Sequence, residues 1–87
     1  MEASQRLAVD SYATYRICIQ GYLDDDWSDR MNGVVIQLQS LPNEMPVTVL
    51  AGEFQDQAAL LGVINTLYDL HLPLLSVECL GIQPDTP

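Results

Sequence analysis

The sequence predicts an α+β fold: a four-stranded, mostly antiparallel sheet with one main helix on one face. Three observations carry this. Tyr15–Tyr22 and Val34–Gln39 alternate apolar and polar side chains with the period of a half-buried strand. Gln57 to about Leu70 repeats apolar residues at helical spacing behind a capping aspartate, Asp56. The chain has 87 residues, 48% of them hydrophobic, which is enough for one core and too little for two domains. The expected organisation is a loose N-terminal arm over 1–14, a single domain over 15–80 and a flexible tail over 81–87.

Each element has a local reason. In the first strand Tyr15, Ile17 and Ile19 point one way and Arg16, Cys18 and Gln20 the other. Leu23–Gly33 then supplies aspartates for an N-cap, a glycine suited to a left-handed C-terminal position, and Trp27 and Met31 on one side of one or two helical turns. The second strand turns Val34, Ile36 and Leu38 inward. Ser40–Pro46, with two prolines, reads as a loop between antiparallel neighbours. A third strand over Val47 to about Gly52 is expected to turn Val47, Val49 and Ala51 inward. The helix stripe is Leu60, Leu61, Ile64, Leu67, Tyr68 and His71, and Pro73 stops it and opens a last strand, Leu74–Leu80. The order is strand, short helix, strand, strand, helix, strand. It matches a ferredoxin-like βαββαβ pattern with a shrunken first helix. A three-strand meander followed by a helical crossover competes, because Leu23–Gly33 is short for a parallel crossover.

The sheet face away from the helix is expected to carry Cys18, Tyr22, Val35, Leu50, Leu74 and Leu80 among polar residues. That is more apolar than a wetted face requires, and a small domain buries little surface by itself. A homo-oligomer, with a dimer favoured, follows.

Charge excludes some partners. Twelve acidic residues face three arginines and no lysine, for a formal net charge of -9. Such a surface cannot neutralise phosphates, so nucleic acid is excluded, and it repels anionic lipid. A basic protein partner fits the field, as does solubility through self-repulsion. No apolar run reaches a membrane-spanning length, and Met1–Ala13 has neither the basic nor the apolar part of a secretory signal. Two cysteines do not make a disulfide framework, so a reduced, cytoplasmic setting is expected.

Two stretches, GYLDDDWSDRMNGVVI over 21–36 and DQAALLGVINTLYDLHLPLLSVECL over 56–80, cover nearly half the chain. They resemble an uncharacterised family of short bacterial proteins with a G-H-L-x-x-x-W-S-x-W-F-x-G block, a D-Q-A-A-L-H-G helix and a D-L-G-L-P-L-L-S-V strand. The resemblance implies the same order of strands and helices and brings no activity. Tyr22 and Leu61 stand where relatives have histidines, Met31 where they have an aromatic residue, and His71 where they have glycine. A site built on those histidines is therefore missing from this chain.

The candidate chemistry is thin. Asp24, Asp25, Asp26 and Asp29 resemble oxygen ligands for a divalent cation, but the EF-hand spacing fails at Asp29 and Val35, and helix capping accounts for them. His71 lacks a nucleophile motif beside it and suits the end of a helix. Cys18 and Cys79 have no C-x-x-C and only one histidine to complete a zinc site, and they fall on opposite faces, against a disulfide, so no cofactor is expected. Tyr22, Trp27 and Arg30 form the one constellation suited to lining a pocket or anchoring a partner; the plainer reading is a tryptophan plugging the end of the sheet. The leading expectation is a non-enzymatic, self-associating protein-interaction module. One alternative is a small-metabolite-binding regulatory domain similar to ACT domains. Another is a small enzyme with a dimer-interface pocket, as in ferredoxin-like monooxygenases. Both rest on fold analogy.

Overall fold

A computed structural model describes residues 12–39 and 45–82. The elements are β1 (Ala13–Gln20), a 3-10 segment (Asp25–Met31), β2 (Val35–Gln39), β3 (Val47–Phe54), α1 (Gln57–Asp69) and β4 (Leu74–Ile82). The expected arm over 1–14 falls outside the described residues up to position 11, as do 40–44 of the loop and 83–87 of the tail. Strand β1 begins at Ala13, β3 runs on to Phe54, and β4 reaches Ile82.

The strands lie in the order β2-β3-β1-β4, and every neighbouring pair is antiparallel. Strands β1 and β2 therefore run the same way with β3 between them, and β3 and β4 run the same way with β1 between them. This is the ferredoxin-like arrangement. A meander would have placed β2 beside β1. The first crossover has to clear only one intervening strand, about 10 Å from β1 to β2, and the short 3-10 segment manages it.

Local chemistry explains the elements. The Asp24 side chain accepts the Asp26 N–H at 3.2 Å and caps the 3-10 segment. Asn32 and Gly33 close it in the left-handed region, with φ of 64° and 70°, and the Gly33 N–H donates to the Ser28 carbonyl. The Asp56 side chain accepts the Ala59 N–H at 2.9 Å and starts α1. The helix ends in a Schellman motif: the His71 N–H donates to the Tyr68 carbonyl and the Leu72 N–H to that of Leu67. His71 sits at the left-handed position, φ 63°, as its helix-stop reading requires.

The core lies between α1 and one face of the sheet. Ala13, Tyr15, Ile17 and Ile19 of β1 meet Leu50 and Phe54 of β3, Leu60, Val63 and Leu67 of α1, and Leu23, Met31 and Val34 from the first crossover. Tyr15 packs edge-on against Phe54, with ring centroids 5.8 Å apart.

Two facial assignments are corrected. In β3 the inward set is Thr48, Leu50 and Phe54, with Gly52 in line, because Ile19 lies opposite Thr48 and Ile17 opposite Leu50. Thr48 is fully buried because its hydroxyl donates to the Gly21 carbonyl at 2.7 Å and accepts the Leu23 N–H at 3.2 Å. Gly52 faces inward because Val34 crosses it so closely that a Cβ there would stand 3.2 Å from the Val34 Cα. In α1 the buried stripe is Leu60, Val63 and Leu67, while Leu61 and Tyr68 are 55% and 78% exposed.

Candidate functional site

The outer sheet face differs from expectation at three positions. Leu50 is not on it: it is fully buried beneath the helix. Tyr22 lies past the end of β1, and Leu74 is in register with Ile19, whose side chain belongs to the helix side. Cys18 and Val35 do face outward, as their partners Val49 and Ala51 do. The remainder of this face is mixed, with Gln37 and Gln39 on β2, Glu53 on β3, and Arg16 bonded to Glu78 across the β1–β4 pair. Glu78 receives hydrogen bonds from both Nε and Nη2 of Arg16, which raises the arginine pKa above its ordinary value.

The apolar surface is concentrated elsewhere, on β4. All of its described side chains, Leu74–Gly81, are exposed. Val77 and Cys79 register with Ile17 and Tyr15 and so belong to the helix side. However, α1 packs against β3 and the 3-10 segment and leaves them open. Leu74, Leu75 and Leu80 are each about half exposed, at 46%, 51% and 51%. Among the described residues β4 is also the end strand, and no described strand pairs with its outer backbone edge. Its register against β1 breaks twice, skipping Leu75 and Leu80, and Ser76–Cys79 is regular between the breaks. Cys18 and Cys79 are both free thiols and lie on opposite faces.

At the other edge of the sheet, Trp27 packs half-buried against the core and the Arg30 guanidinium stands 5.3 Å from its ring centroid. With Asp26 they line a shallow depression of about 270 Å³; Tyr22, 60% exposed, is not among its lining residues. The Ser28 hydroxyl donates to the Val34 carbonyl, and the Asn32 amide donates to that of Glu53, fastening this segment to β2 and β3. The carboxylates of Asp24, Asp25 and Asp26 lie within 4.8 Å of one another and are exposed. Beside β1, the Tyr12 hydroxyl donates to Glu53, and that carboxylate raises the phenol pKa.

No signal in the sequence separated β4 from the other strands, because its leucines look like those of any core strand. Only the strand order and the offset of the helix reveal that they are uncovered. No helix among the described residues is long and apolar enough to cross a membrane. None of the curated proteins and none of the solved structures matches the chain. A family model, described as a domain of unknown function (DUF8691), matches residues 14–78, from within the first strand to within β4. The chain belongs to that family.

Proposed function

We propose that this domain is a non-enzymatic self-association module whose contact surface is β4. The observation that carries this is a nine-residue strand with four large apolar side chains exposed, whose outer backbone edge has no partner strand among the described residues. Proteins ordinarily shorten, charge or cover such an edge. The charge distribution favours a second copy as the cover. β4 carries a single charged side chain, Glu78, and Arg16 neutralises it. The acidic segment around Asp24–Asp29 packs on β2, three strand spacings or about 14 Å away. Two chains meeting at β4 keep their like charges at the far ends of the assembly.

The metabolite-binding and enzymatic readings have less support. The depression beside Trp27 is smaller than ordinary ligand sites, which begin at roughly 300 Å³ and enclose most of the ligand. An edge contact buries modest area, so the association is expected to be reversible, in the micromolar range. Sedimentation or light scattering across that range tests it. The wild type is expected to shift from monomer to dimer, and Val77→Lys to shift the midpoint at least about tenfold upward, since it buries a charge on each side. Tyr68→Lys, on the exposed side of α1, is the control and leaves the midpoint in place. A wild type that stays monomeric throughout defeats the proposal.

A further inference from the structure

Resting on that reading, we infer that two β4 strands pair antiparallel about a two-fold axis through Val77, joining two sheets into one of eight strands. The symmetry itself limits the choices. Identical antiparallel strands related by an axis normal to the sheet place each residue opposite one whose number gives a fixed, even sum, so a residue must face its own copy. Within the regular stretch the candidates are Ser76, Val77 and Glu78.

An axis at Glu78 sets two carboxylates directly opposite each other, which is repulsive. An axis at Ser76 places Leu74 against Glu78 and leaves Leu80 opposite Leu72, outside the strand. An axis at Val77 matches every position: Val77 with Val77, Leu75 with Cys79, Leu74 with Leu80, and the Ser76 hydroxyl with the Glu78 carboxylate. Val77 then meets Val77, and apolar side chains meet apolar ones at both flanks of the polar Ser76–Glu78 pairs. The breaks at Leu75 and Leu80 lie near the ends of the overlap, which confines regular pairing to its centre. Val77 and Cys79 of both copies add to the helix side of the joined sheet, where neither helix covers them.

Single cysteines in the full chain, with both native cysteines kept, test the register. Val77→Cys, Ser76→Cys and Glu78→Cys are oxidised in parallel at a dimer-forming concentration, and the disulfide-linked peptides are identified by mass spectrometry. Residues on the axis have Cα atoms about 5 Å apart, within disulfide range, whereas residue 76 or 78 lies about 8 Å from its own copy. The 77–77 link is therefore expected to exceed the 76–76 and 78–78 links about tenfold. Predominance of either of the others, or of a link through native Cys18, overturns the register while leaving self-association standing. A second measurement uses the unmodified chain: the amides of Ser76–Cys79 are expected to gain hydrogen-exchange protection with protein concentration and those of β2 are not. Protection of β4 independent of concentration means that the chain covers its own edge, and both the register and the self-association reading fail.

Discussion

Thr48 is the one polar side chain fully buried among the described residues, and it fixes which way β3 faces. Its hydroxyl joins the Gly21 carbonyl and the Leu23 N–H, so it ties the exit of β1 to the neighbouring strand. Thr48→Val preserves shape and removes both bonds, leaving two backbone groups unpaired in a dry place. The expected loss is about 1–3 kcal/mol in urea unfolding. Val47→Thr, one position before, outward-facing and only half-buried, is expected to cost less. The reverse order of the two losses would contradict the register of β3 against β1. Gly52 makes the same point sterically, since a Cβ on that face would crowd the Val34 Cα at 3.2 Å.

Among the elements, α1 shows how a helix end is specified without its usual residue. The Schellman bonds of His71 and Leu72 are formed, yet the left-handed position holds a histidine. A side chain there costs about 1–2 kcal/mol in local sterics, part of which glycine returns through its looser unfolded state. His71→Gly is therefore expected to stabilise the domain by about 0.5–1 kcal/mol, read as a rise of a few degrees in Tm. A fall in Tm would mean that the imidazole makes a contact that outweighs the strain. The 3-10 segment succeeds as a crossover despite its length because Met31 is fully buried, Trp27 packs on the core, and side-chain bonds from Ser28 and Asn32 fasten both its flanks. β4 is the opposite case. It is apolar, with a register broken at Leu75 and Leu80, and its described side chains are exposed because α1 lies toward β3 and the 3-10 segment.

For the whole molecule, a net charge of -9 opposes any association of like chains. The proposed assembly places the acidic segments at its far ends, beyond a Debye length of about 10 Å at 0.1 M salt. The remaining repulsion is long-range and screenable. Raising ionic strength is therefore expected to tighten the dimer several-fold in sedimentation measurements. Weakening by salt would point to a contact made by ion pairs and away from the leucines of β4.

The sequence by itself determined the composition of the fold: four strands, a capped helix from Gln57, a short aspartate-capped turn and a helix stop at His71. These features are local. They depend on periodicity, on capping atoms within three residues and on backbone conformation at single positions. The match to a domain of unknown function over residues 14–78 is consistent with the resemblance to an uncharacterised family. Strand order, the facing of β3 and the exposure of β4 were decided by tertiary structure. In β3 the set Val47, Val49 and Ala51 is the more apolar by count, and only the bonds to Thr48 and the crossing of Val34 over Gly52 reverse the choice. In β4 each leucine reads as core, since burial belongs to the position of the covering helix and not to the residue.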